Sequence, residues 1–374
     1  MKKVIALAGL ALLVAMTSSA SQDPGREGGS SPDQLLLKDH RPRSIYKIPQ
    51  TRVEKARFPV IDVHSHPYAR TSEQVDQWVR NMDEVGVAKS IVMVGATGKR
   101  FDDAVALFQK YPDRFELWCG IDYTGFDQPG FAERAIAELE RCARAGARGV
   151  GELSDKGRGF QGTTGMHIDD PRLDPIFQEC ADLGLPVNIH VGEDRWMYEP
   201  MDGYNDGLMN SYKWKIPNES GVLRHEEVIA TLDRAVKKHP HTTFIACHLA
   251  NCCYDLSILG RMFDRYTNLY ADIGARFGET APIPRYMARF YEKYQDRLLY
   301  GTDMGFDTEM YRTTFRILET EDEHFYDWKL FSYHWPLHGI GLKDKVLKKV
   351  YADNAAKILK KDRSRGTVGQ KANR

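Results

Sequence analysis

The chain has 374 residues, with 52 Lys and Arg against 52 Asp and Glu, so its formal net charge is zero at pH 7 with the 12 histidines neutral. That balance gives no electrostatic case for nucleic acid, whose binding rests on clustered cations neutralising phosphates, and it leaves a small molecule as the expected partner. Hydrophobic residues make up 42% of the chain, and no repeat or Pro/Gly-rich break divides its body, which predicts one large core.

Lys2 and Lys3, the apolar run from Val4 to Met16 and the small residues Thr17-Ser18-Ser19-Ala20 read as a secretory signal peptide over residues 1–20. This predicts a periplasmic or secreted protein. No cysteine stands at the cleavage region, so a lipid anchor is not expected, and no other run approaches the ~18 apolar residues of a membrane span. Residues 21–57, rich in Gly, Ser, Pro and charge, read as a flexible lead-in or strap, and residues 363–374 as a disordered tail. Of six cysteines, Cys119, Cys142, Cys180 and Cys247 fall inside predicted elements and Cys252 and Cys253 in a loop. They read as buried small hydrophobes, with a single disulfide left open.

The body, 58–362, alternates short apolar runs with amphipathic segments. Val60-Ile61-Asp62-Val63-His64-Ser65-His66 is a first strand, in which a period of two puts Asp62, His64 and His66 on one side and Ile61 and Val63 on the other. The spacing then predicts a helix over Ser72–Glu84, a strand over Ala88–Val94, a helix over Asp102–Tyr111 and a strand over Phe115–Ile121. Pro129–Ala145 has helical spacing and stops before Gly146, a residue suited to a left-handed C-cap. A fourth strand is predicted over Ala147–Leu153, a helix over Asp174–Leu183, a fifth strand over Leu185–Val191 and a helix over Arg224–Lys238. Thr242–His248, Leu269–Ile273 and Arg297–Gly301 complete the predicted strands, with helices over Leu256–Tyr266, Pro284–Tyr294 and Lys343–Leu359.

Eight strand-helix alternations require a parallel sheet, and eight strands close a (β/α)8 TIM barrel. Two long loops, Gly192–Leu223 and Met304–Gly341, are expected on its C-terminal face, where such barrels keep their active sites.

Chemistry-bearing residues recur at that face. His64 and His66 close the first strand, Glu152 the fourth, His190 the fifth and His248 the sixth, and Asp303 follows the eighth. Imidazoles and carboxylates are ligands for divalent ions, and six at one mouth point to a metal centre.

Asp62-Val63-His64-Ser65-His66, Val187-Asn188-Ile189-His190, Cys247-His248, Tyr300-Gly301-Thr302-Asp303 and Asp353-Asn354-Ala355-Ala356 resemble motifs of the metal-dependent amidohydrolase superfamily. Within it they resemble the amidohydrolase-related (amidohydrolase 2) branch, which also contains aromatic-acid decarboxylases. The resemblance covers Val60 to Leu359. It implies that His64, His66, His190 and Asp303 hold a divalent metal, usually zinc, and that His248 either assists catalysis or holds a second ion. It also implies a homodimer, since such barrels often pair. Many two-metal relatives carry a carboxylated lysine where Glu152 stands, and a glutamate there is similar to the bridging Glu of TatD-type nucleases. Glu152 is therefore expected either to bridge two ions or to pair with Lys156 or Arg148 at the rim.

A bound divalent ion lowers the pKa of water from about 15.7 towards 7, and Asp303 is the group expected to take that water's proton. Arg195 could grip a substrate carboxylate and Trp196 pack an apolar body, although aromatics in a long loop also serve to pin it. His324, His334 and His338 in the later loop have no tight ligand spacing. Asp62 either supports a ligand histidine or is structural. The expected function is a metal-dependent hydrolase of a small-molecule amide, ester or lactone; the alternative is a nonoxidative decarboxylase of an aromatic acid. A metal-binding barrel without turnover is disfavoured by the full ligand set with Asp303, and a nuclease by the neutral charge.

Overall fold

Among the described residues eight short parallel strands, β1 Val60–Ser65, β2 Val87–Met93, β3 Phe115–Trp118, β4 Val150–Asp155, β5 Val187–Val191, β6 Phe244–Ala246, β7 Leu269–Asp272 and β8 Leu298–Leu299, form where apolar runs are covered on both faces. The computed structural model describes residues 31–359; the expected signal peptide, the start of the lead-in and the expected tail at 363–374 lie outside the described residues. Residues 31–40 belong to a separate unit with two short turns, Pro32–Gln34 and Leu37–Asp39.

Strands β1 to β3 pair in order, as do β4 to β8. Backbone hydrogen bonds join the two sets: Cys119 N to Gly149 O at 3.0 Å and Gly151 N to Cys119 O at 2.8 Å on one side, Val63 N to Tyr300 O at 3.0 Å on the other. The result is the (β/α)8 TIM barrel. Val63, Ile91, Met93, Trp118, Ile245 and Leu299 fill its interior, and a larger apolar layer lies between the strands and the helices.

The covering helices are α1 Ser72–Val85, α2 Gly98–Phe108, α3 Phe131–Ala145, α4 Asp174–Leu183, α5 Leu208–Trp214, α6 His225–Lys238, α7 Ser257–Arg265, α8 Phe277–Thr280, α9 Pro284–Lys293, α10 Thr308–Glu319 and α11 Asp344–Lys348. Gly146 ends α3 at φ 117°, and the N–H of Ala147 returns to Cys142 O at 2.9 Å, the left-handed cap its position predicts. Among the described residues no helix is long and apolar enough to cross a membrane.

Three expectations need correction. The segment Met304–Gly341 is not all loop: α10 is a barrel helix, started by Asp307, whose side chain accepts from Glu309 N, and its Met310, Tyr311, Thr314, Phe315, Ile317 and Leu318 are buried at helical spacing. The C-terminal helix is interrupted by a π-helical stretch, Lys349–Asp353, beyond which Ala355 and Ile358 pack into the interior cluster and plug the barrel floor. Asn354 fastens this plug by donating to Gln295 O and Leu298 O, each at 2.8 Å, so the closing Asp353-Asn354-Ala355-Ala356 motif is structural.

The third correction concerns β1. Asp62 pairs with Ser90 and Ser65 with Val92, so three steps on β1 oppose two on β2. That bulge breaks the period of two. Val63 stays in the interior cluster, while Asp62 turns outward to accept from Thr302 Oγ1 at 2.7 Å and Tyr311 Oη at 3.2 Å. His64 and Asp62 therefore do not share a side, and Asp62 is a brace between β1 and the segment after β8.

Residues 42–57 run as a strap tied by side-chain hydrogen bonds. Asp322 accepts from Thr51 N and Oγ1, both at 2.7 Å, and Glu319 accepts from Arg57 N at 3.0 Å. His324 meets Ser44 Oγ at 3.1 Å, which gives that loop histidine a structural role. All six cysteines are free and buried, so no disulfide forms.

Candidate metal centre

The bulge in β1 and a left-handed turn after β6 bring three imidazoles to one mouth. His248 has φ 59° and ψ 41°, so the chain reverses where β6 ends and the ring enters the barrel. Each of the three rings has Nδ1 engaged by an oxygen: His64 with Asp272 Oδ2 at 3.0 Å, His66 with Met93 O at 3.3 Å and His248 with Gly274 O at 2.7 Å. Donation from Nδ1 fixes the tautomer whose Nε2 lone pair is free for a cation.

Those Nε2 atoms converge on two carboxylates. Asp303 Oδ1 lies 3.1 Å from His66 Nε2 and 3.7 Å from His64 Nε2, and its Oδ2 lies 3.7 Å from His248 Nε2. Glu152 Oε2 is 3.4 Å from His66 Nε2, and its Oε1 is 2.6 Å from His190 Nδ1 and 3.7 Å from His248 Nε2. The rim alternative for Glu152 does not form, because Lys156 pairs with Glu193 and Arg148 with Ala147 O.

Two overlapping groups have their ligand atoms within 4.8 Å of one another: His64, His66 and Asp303, and His64, Glu152, Cys247 and His248. His190 joins neither group. Its Nε2 donates to Gly192 O at 2.9 Å, so it faces the centre through Nδ1 and Glu152.

The residues fit a divalent cation. His64 Nε2 is buried with no hydrogen-bond partner, an arrangement that costs free energy unless something positive sits against it. Proton affinities carry the same signature. Burial alone would lower His64, but Asp272 and Asp303 carry it up to about 10, and burial opposed by Glu193 and Glu152 leaves His190 at about 9. Despite burial, which raises them, Glu152 and Asp303 are held well below the usual carboxylate range by the facing imidazoles. His248 is lowered by burial.

A cavity of about 580 Å³ opens over this cluster, lined among others by His66, Tyr68, Arg70, Lys156, His190, Glu193, His248, Arg276, Glu279, Asp303 and Tyr333. Arg195 and Trp196 do not line it. Arg195 is taken by Glu199 and Glu226 at the surface, and Trp196 stacks towards Trp335 with ring centres 5.8 Å apart, so the loop aromatics pin one loop to the other. The buried guanidinium at the cavity is Arg276, just past β7, held by Asp194 at 3.0 Å, Glu193 at 3.4 Å and Glu279 at 3.6 Å. Tyr333 donates to Glu279, whose carboxyl is pushed up to about 8 by burial, and accepts from Asn210 Nδ2 at 2.8 Å, which closes the wall between the two loops.

Asp272 and Arg276 were missed from sequence, although both obey the strand-end rule that found the others. Tyr68, which donates to Asp303 Oδ1 at 3.2 Å, follows His66 by two residues and carries no signal of its own.

Comparison with known proteins agrees with this geometry. Similar solved structures include an uncharacterised TIM-barrel protein of Bordetella bronchiseptica, 18% identical over 82% of this chain and 99% of that one, with a TM-score of 0.52. Another is a 2,6-dihydroxybenzoate decarboxylase with 2,6-dihydroxybenzoate bound, 16% identical over 81% of this chain and 99% of that one, with a TM-score of 0.50. At such identities the likeness shows the fold. No curated protein matches the chain. The profile of a family described as amidohydrolase matches residues 61–361, a span that holds every ligand candidate from His64 to Asp303, and the chain therefore belongs to the amidohydrolase superfamily, in its amidohydrolase 2 branch.

Proposed function

We propose that the protein is a metal-dependent hydrolase of a small-molecule amide, ester or lactone, with zinc as its ion. The observation that carries this reading is the placement of Glu152. Its Oε1 lies 3.7 Å from His248 Nε2 and its Oε2 3.4 Å from His66 Nε2, so a single carboxylate reaches both halves of the ligand cluster, the placement a group shared by two ions would need. When bound, such ions supply Lewis-acid polarisation of a carbonyl and make a water acidic enough to ionise near neutral pH.

The chain's own groups supply the rest. Asp303 lines the cavity and is steadied by Tyr68, which leaves it placed to take a proton from the attacking water and pass it to the leaving group. His248 reaches the cavity with its Nδ1 tied to Gly274 O, so its Nε2 serves as a ligand. The cavity volume suits a small molecule, and the leader residues 1–20 support export.

The test pairs metal analysis of the purified protein with a screen of lactones, aryl esters, N-acyl compounds and hydroxybenzoates. Two ions per chain and hydrolysis without carbon dioxide release support the reading. One ion per chain with carbon dioxide released from a hydroxybenzoate overturns it in favour of decarboxylation.

A further inference from the structure

We propose that Cys247 supplies a thiolate ligand to the deep half of the metal centre, beside His64, Glu152 and His248. This rests on the reading of the cluster as a metal site and adds a ligand of a different chemical kind. Cys247 lies two residues past Ile245, whose side chain is in the interior cluster, so the period of two turns Cys247 into the barrel as well. The left-handed conformation at His248 then brings the next side chain to the same place. Sγ of Cys247 lies within 4.8 Å of the ligand atoms of His64, Glu152 and His248.

The independent observation is His64 Nε2, a wholly buried nitrogen without a partner in that same group. Among the described residues no other cysteine belongs to a ligand cluster, so this thiol is set apart from the remaining five by position and not by burial.

Sγ–H donates to Asn188 Oδ1 at 2.7 Å, and Asn188 Nδ2 donates to Asp272 Oδ2 at 3.3 Å. On metal binding the S–H bond breaks, the proton leaves to solvent and a sulfur–metal bond forms. Asn188 Oδ1, an acceptor, then withdraws from the thiolate, and the side chain gives up its bond to Asp272. Asp272 tolerates the loss because His64 Nδ1, His248 N and Gly274 N still face it. A thiolate among imidazoles and a carboxylate selects zinc, cobalt or cadmium over magnesium and calcium.

X-ray absorption at the zinc edge of the zinc-loaded full chain tests this without any activity measurement. A sulfur shell at about 2.3 Å, one sulfur for every two zinc ions in the fully loaded chain, is expected beside nitrogen and oxygen at about 2.0–2.1 Å, and it should vanish in Cys247→Ser. Bound zinc with nitrogen and oxygen neighbours alone would overturn the thiolate while leaving the metal site standing, and failure to bind zinc at all would overturn both. If Cys247→Ser does not fold, cobalt-loaded wild type decides. A sulfur-to-cobalt charge-transfer band in the near ultraviolet supports the ligand, and visible cobalt bands without it refute it.

Discussion

His64 Nδ1 stands 3.0 Å from Asp272 Oδ2 with both side chains wholly buried, and this contact leaves His64 Nε2 facing Asp303 Oδ1 at 3.7 Å. Because a carboxylate behind a ligand histidine fixes its tautomer and raises its basicity, Asp272→Asn should weaken metal affinity by about 10–100-fold. Competition titration with a chromophoric chelator measures this. The asparagine keeps one acceptor oxygen for the backbone donors of His248 and Gly274, so circular dichroism should stay that of the wild type. Unchanged affinity in a folded variant would remove Asp272 from the centre.

Asp303→Asn keeps the size of the side chain but loses the base. Turnover of any hydrolysed substrate should fall by about 10²–10⁴-fold while circular dichroism stays that of the wild type. A variant that retained the wild-type rate would show that another group moves the proton.

Stability of the metal-free protein should fall as pH rises from about 6.5 to about 9. His64 and His190 have folded-state values of about 10 and about 9 against 6.5 unfolded, so each binds more proton in the fold across that window, and its contribution is lost on the way up. Glu279, raised to about 8 by burial, acts in the same direction. Added zinc competes with those protons, so the rise in melting temperature on loading should grow with pH. Calorimetry of chelator-treated and loaded protein over the series checks both slopes. A metal-free protein that gains stability over this range would contradict the assignment.

Two arginines near the site should behave in opposite ways. Arg276 is buried against Glu193, Asp194 and Glu279, and Arg276→Met leaves those acids without their cation, at a cost of about 3–5 kcal/mol in urea unfolding. Arg195→Ala removes surface pairs with Glu199 and Glu226 and should cost under about 1 kcal/mol with no change in KM. A large rise in KM in Arg195→Ala would restore it as a substrate contact.

Much of the barrel was legible because its signals are local. The helix Asp174–Leu183 matches its expected bounds, with Gly184 closing it, and the alternation in Val187–Val191 sends Asn188 and His190 to the interior as a period of two requires. The β1 bulge was not legible, since it is set by pairing with β2 and not by the residues of β1. α10 carried a clear helical spacing that was hidden by treating everything between Asp303 and Gly341 as an active-site loop. The place of Arg195 away from the cavity was not legible, because a loop's own sequence does not name its partners, here Glu199 and, on α6, Glu226. Ligand type and strand-end position located Glu152 beside the histidines. They said nothing of which ring nitrogen each histidine presents, which depends on Asp272, Met93 and Gly274 behind them.

The most direct measurement is anomalous diffraction at the zinc edge from crystals of the zinc-loaded protein. Peaks are expected within bonding distance of the Nε2 atoms of His64, His66 and His248 and of the carboxylates of Glu152 and Asp303. Fully loaded crystals in which zinc scatters only from sites away from these side chains would contradict a metal centre at the mouth of the barrel.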